Sequence, residues 1–83
     1  MQLLTKEDIL KNNVATIPQY YVLDYLKKNL NINEFEVYIV DGYTLKVIDK
    51  EDNHLYFNYD KDTKKITYQE DLKIKEQDYE IGI

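Results

Sequence analysis

Two runs rich in β-branched and aromatic residues, Phe35-Glu36-Val37-Tyr38-Ile39-Val40 and Tyr43-Thr44-Leu45-Lys46-Val47-Ile48, flank Asp41-Gly42. No other stretch limits the fold as much, because Asp-Gly between such runs is a strong hairpin signal. A type I′ turn needs positive φ at both central residues, which Asp tolerates and Gly adopts at no steric cost. The expected strands are 35–40 and 43–49. A two-residue turn then pairs Val40 with Tyr43, Tyr38 with Leu45 and Glu36 with Val47 on one face. The other face carries Ile39 with Thr44, Val37 with Lys46 and Phe35 with Ile48. Tyr38, Val40, Leu45 and Val47 read as the core side, and the second face is apolar enough to be covered by a partner.

Upstream of the hairpin the pattern changes from alternating to helical. Thr5 suits an N-cap, and Glu7 and Asp8 place negative charge in the first turn, where the helix dipole favours it. Leu4 and Ile9 hold the two positions of a hydrophobic staple, and the helix ends at Asn12-Asn13. A second helix is expected over 18–30, with Pro18 in its first turn and Leu23, Leu26 and Leu30 as its apolar stripe. Asp24, Lys27 and Lys28 fall off that stripe and are expected to face water. Downstream, 54–59 and 65–69 read as strands between the charged turns 49–53 and 60–64. Leu72 with Ile74, and Tyr79 with Ile81, alternate weakly as further edge strands.

The expected architecture is α+β: two short N-terminal helices packed on an antiparallel meander of four to five strands, in a single two-layer domain. Residues 1–31 supply the helical part and 34–83 the sheet. At 83 residues there is length for one core. Apolar content of 43% against a net charge of −5 argues against disorder. No apolar run approaches the ~20 residues of a membrane span, and the first residues lack a basic-then-apolar leader pattern, so a cytoplasmic protein is expected.

The chain contains no Cys, Ser, Trp or Arg, and one His. Disulfides and thiolate metal sites are excluded. Without Arg there is no bidentate contact to guanine or phosphate, and an acidic chain lacks the basic footprint of nucleic-acid binders. Asp60-Lys61-Asp62-Thr63 resembles the Asp-x-Asp start of acid-phosphatase-like phosphotransferases, but the threonine comes one place early and the same residues make ordinary turns. Asp49, Glu51, Asn53 and Asp60 match parts of a calcium loop, yet His54 stands where glycine is required. His54 has no second ligand and no nucleophile to serve. The two helices followed by a hairpin lack the third helix and the charge of a winged-helix DNA reader. No catalytic, cofactor or metal residues are assigned; the expectation is a non-enzymatic protein.

Two surface features remain. Tyrosine supplies nine residues, and it is enriched at protein interfaces because a rigid apolar ring carries a polar tip. Acids outnumber lysines five to two over 49–62 and again over 70–80, so turns sharing one sheet edge would form an anionic rim. The residues expected to bind a partner are Glu51, Asp52, Asp60, Asp62, Tyr20, Tyr21, Tyr56 and Tyr68. The partner they imply is a larger basic protein such as a nucleic-acid-binding effector, with no membrane and no direct nucleic acid involved. In size, acidity and tyrosine content the chain is similar to small acidic inhibitors carried by phages and other mobile elements, anti-CRISPR proteins among them. No motif carries residues over from such a family. The competing expectation is a homo-oligomerising structural or adaptor domain that uses a sheet edge or the apolar hairpin face, so the chain is read as a monomer or a homodimer.

Overall fold

Each of the two helices begins on a threonine paired with the residue three places further on. Thr5 Oγ1 accepts from the Asp8 N–H at 3.1 Å while Asp8 Oδ2 accepts from the Thr5 N–H at 3.1 Å. Thr16 Oγ1 accepts from the Gln19 N–H at 3.2 Å, and Gln19 Oε1 accepts from the Thr16 N–H at 3.0 Å. These reciprocal boxes satisfy backbone donors that a helix start leaves unpaired. The computed structural model describes residues 1–71. Its elements are β1 (Gln2–Leu4), α1 (Lys6–Leu10), α2 (Ile17–Asn29), a 3-10 turn (Ile32–Glu34), β2 (Glu36–Asp41), β3 (Thr44–Ile48), β4 (His54–Asp60) and β5 (Lys65–Asp71). The edge strands expected at 72–74 and 79–81 lie outside the described residues.

The helices are unequal: α1 has five residues and α2 thirteen, so only the first is short. α1 stops where Asn12 turns to φ 53°, and the N–H groups of Asn12 and Asn13 close back on the carbonyls of Ile9 and Asp8. Lys27 does not simply face water. Its ammonium donates to the Ile9 carbonyl at 3.0 Å and to Asn12 Oδ1 at 3.0 Å, so α2 places a positive charge on the negative end of α1.

All five strands pair antiparallel in the order β1-β2-β3-β4-β5. One edge strand comes from ahead of the helices: Gln2–Leu4 joins β2, with Leu4 opposite Val37. The 1–31 segment is therefore not purely helical. Three consecutive residues carried too little pattern to be read as a strand, and the pairing is supplied by β2.

The hairpin forms where expected, but its register differs. Asp41 pairs with Thr44, Ile39 with Leu45 and Val37 with Val47, the ladder slipping by one at Val40. This bulge reverses the facing of β2, since a one-residue shift exchanges the two sides of a strand. Val37, Leu45 and Val47 are fully buried, whereas Tyr38 and Val40 lie on the opposite face. The turn is also not type I′, because Gly42 does not have positive φ. Asp41 opens the turn and accepts the Tyr43 N–H on Oδ1 at 2.8 Å. Positive φ falls instead on Asn12, Asp52 and Lys64.

α2 packs on β3 and β4, and α1 on β1. Leu4 and Ile9, the expected staple pair, join Val22, Leu23, Leu26, Val37, Leu45, Val47 and Phe57 in one apolar core. On the other face of the sheet Tyr38, Lys46 and Tyr56 stand side by side on adjacent strands. The Lys46 ammonium lies 5.5 Å from the Tyr38 ring centre and 5.8 Å from that of Tyr56, and only 4% of the residue is exposed. Its aliphatic stem is covered and its charge is held by the two ring faces.

Candidate functional site

The N-terminus of α2 is bolted to the β2–β3 turn. Thr16 Oγ1 donates to the Gly42 carbonyl at 2.6 Å, and Gln19 Nε2 donates to the Asp41 carbonyl at 2.8 Å. Gln19 is 2% exposed, and its Oε1 also accepts from the Ala15 N–H at 2.8 Å. Every polar atom of this buried amide group is therefore engaged, which fixes the helix start against the sheet. Gln19 is followed in the chain by Tyr20 and Tyr21, so the same bolt delivers two exposed tyrosines to this end of the sheet.

The Tyr21 ring then meets Tyr59, the centres 5.1 Å apart, and Tyr20 meets Tyr21 at 6.0 Å edge to face. The Tyr59 N–H donates to the Tyr43 carbonyl at 2.9 Å, which brings the exposed Tyr43 alongside. A hollow of about 260 Å³ runs past Tyr43 and Tyr59 and is bordered by Asp41, Asp60, Lys61 and Asp62. A second groove of about 370 Å³, lined by Tyr21, Tyr25, Tyr59 and Ile66 among others, begins on the far side of Tyr59. Asp41 and Asp60 each use Oδ1 to shape their own turns. Among the described residues neither they nor Asp62 enter an ion pair. The result is a corner of exposed rings and outward carboxylates, suited to a cationic, partly apolar surface.

Of the residues expected to bind a partner, the structure brings Tyr20, Tyr21, Asp60 and Asp62 to this corner. The other four lie elsewhere. Glu51 and Asp52 belong to the β3–β4 turn, at the opposite end of β4, so the two charged turns do not share one edge. Tyr56 is on the far face of the sheet beside Lys46. Tyr68 is exposed on β5, where its ring stands 5.0 Å from Phe57 and its hydroxyl donates to Glu70. Desolvation, reinforced by that hydrogen bond, pushes the Tyr68 phenol up to about 12. Asp41, Tyr43 and Tyr59 belong to the corner and were not singled out from sequence. Their period-two positions describe strands, and only the turn geometry and the crossing of α2 put them together.

The other end is differently arranged. Asp49 accepts from the N–H groups of Glu51 and Asn53 on Oδ1, and from Asn53 Nδ2 on its second oxygen. Hydrogen bonding from Asn53 holds the Asp49 carboxyl below its ordinary value. Lys50 pairs with Glu34, which lowers the Glu34 carboxyl in turn, and His54 Nε2 lies 3.3 Å from Asp52. Among the described residues no group of three His, Cys, Asp or Glu side chains could hold a metal ion, and no helix is long and apolar enough to cross a membrane. Comparison with protein-family models, curated proteins and solved structures finds no match to this chain.

Proposed function

We propose that the chain is a small non-enzymatic protein-binding domain that docks on a larger basic protein through the tyrosine and aspartate corner. The supporting observation is the convergence of Tyr20, Tyr21 and Tyr43 with Asp41, Asp60 and Asp62, rings exposed and carboxylates outside any ion pair among the described residues. Tyrosine gives contact area at low entropic cost, and carboxylates that keep their charge outside an ion pair steer a positively charged partner and fix its orientation. In this reading the helices form one layer, the sheet forms the other, and the domain works in the cytoplasm. The partner is a nucleic-acid-binding effector whose basic surface the domain occupies, as phage-encoded anti-CRISPR inhibitors do.

Calorimetric titration against a panel of basic nucleic-acid-binding proteins, at low and high salt, tests this. The expected complex weakens as salt rises. It is lost on Tyr21→Ala or on combined Asp60→Asn and Asp62→Asn, and retained on combined Glu51→Gln and Asp52→Asn. The reverse pattern of variants removes the corner from the account. Turnover of a substrate by the purified chain, or sequence-selective attachment to DNA, removes the class.

A further inference from the structure

The last strand in the sheet order is β5, and among the described residues it has a neighbour on one side only. It is seven residues long, and all but Ile66 are exposed. A strand so placed presents a row of backbone donors and acceptors to whatever can pair with it. Its side chains restrict the choice. Lys65 begins the strand, Glu70 and Asp71 end it, and Tyr68 stands at its centre.

We propose that β5 is a dimerisation edge, pairing antiparallel with β5 of a second copy about a two-fold axis through Tyr68. Only that register pairs all seven residues. It sets Lys65 opposite the partner's Asp71, Ile66 opposite the partner's Glu70, Thr67 opposite the partner's Gln69, and Tyr68 opposite its own copy. Facing residues of an antiparallel pair share one side of the sheet, so Lys65 and Asp71 meet on one face and the two tyrosine rings on the other. The two-fold axis makes each contact occur twice, which turns one cation and one anion into two complementary pairs. A parallel arrangement would instead put lysine against lysine and aspartate against aspartate. The other edge, β1, is three residues long and carries no charge to meet Lys65 or Asp71, so a β5-to-β1 filament gains neither pair.

The edge adjoins the tyrosine and aspartate corner at Lys65, opposite Asp60, but its readout is self-association of the chain alone, so it is tested without the partner protein. Sedimentation equilibrium over a wide concentration range is expected to show a monomer–dimer equilibrium and nothing larger. Lys65→Glu alone and Asp71→Lys alone are each expected to weaken the dimer about tenfold or more, and the two together to restore it. Because Lys65 also faces Asp60 and Asp71 faces His54 within one copy, circular dichroism accompanies each variant. A second test needs no charge change. The chain has no cysteine, so Tyr68→Cys carries a single thiol that a short bis-maleimide is expected to link between copies, while Tyr56→Cys remains unlinked. A chain that stays monomeric at every concentration overturns the proposal. So do assemblies beyond the dimer, a folded charge-swapped variant that fails to re-associate, or equal linking at positions 56 and 68.

Discussion

The two ends of β4 carry turns that look alike in sequence, Asp49-Lys50-Glu51-Asp52-Asn53 and Asp60-Lys61-Asp62-Thr63-Lys64, and lie about 20 Å apart along the strand. Their carboxylates do different things. At the first, both oxygens of Asp49 hold the turn together, Glu34 takes Lys50, and Asp52 lies against His54. At the second, Asp41 and Asp60 shape their turns through Oδ1, and no lysine among the described residues closes an ion pair with them or with Asp62. Among the described residues, the exposed rings of Tyr20, Tyr21 and Tyr43 gather at that second end. Two turns that both open on Asp-Lys are thus divided by the fold into an end that stabilises itself and an end presented outward.

The largest effect that bears on this contrast is Gln19→Ala. It strips partners from the Ala15 and Thr16 N–H groups and from the Asp41 carbonyl, and is expected to cost about 2–3 kcal/mol by urea unfolding. It should also weaken binding at the corner, since the helix start that places Tyr20 and Tyr21 is released. An effect below about 0.5 kcal/mol would show that the corner does not depend on this bolt.

Next come two backbone tests of the turns. Lys64 has φ 60°, so Lys64→Gly is expected to stabilise by about 0.5–1 kcal/mol. Gly42 lacks positive φ, and an added Cβ would sit 3.8 Å from Thr16 Cγ2, an ordinary contact. Gly42→Ala is therefore expected to be neutral or to stabilise by up to about 1 kcal/mol through the unfolded chain. A loss on either substitution, measured by thermal unfolding, would mean the turn geometry is not as described.

Acid tests the first end more gently. The Asp49 carboxyl titrates below its ordinary 3.8 in the folded chain, so its contribution is present above that value and disappears as pH falls through the lower, folded one. Asp49→Asn is expected to remove that part of the pH dependence, read by thermal unfolding as pH is lowered. Smallest in stability is Asp62→Asn, expected within about 0.5 kcal/mol of the parent yet clearly weaker toward a basic partner. Loss of stability without loss of binding would reverse the roles assigned to the two ends.

What could be read directly were the features set by neighbours in the chain. Thr5 with Leu4 and Ile9 marked a cap and a staple, Pro18 stands in the first turn of α2, and the strands around Phe57 and Thr67 followed from alternation between charged turns. The features that escaped depend on partners far along the chain. Gln2–Leu4 is a strand only because β2 pairs with it, and Lys27 is an α1 cap only because α2 crosses the end of α1. Lys46 gave no sign of burial, since its shelter is two rings contributed by the strands on either side. Of the eight residues named from sequence for partner binding, Tyr20, Tyr21, Asp60 and Asp62 meet at one corner and the other four lie at other places on the sheet, because strand alternation does not tell which turns and helix ends come together.

The amino-acid order alone settled that this chain forms two helices followed by four antiparallel strands, β1 apart, with one apolar set large enough for a core and neither thiols nor arginine for chemistry. Those properties follow from composition and from spacings of two to four residues. Which face of the hairpin is inside was decided by one extra residue at Val40, whose bulge reverses the facing of β2. Which acids stand beside the tyrosines was decided by where α2 is tied to the β2–β3 turn. Both are tertiary facts because a one-residue slip costs nothing in local pattern and changes every neighbour across the sheet.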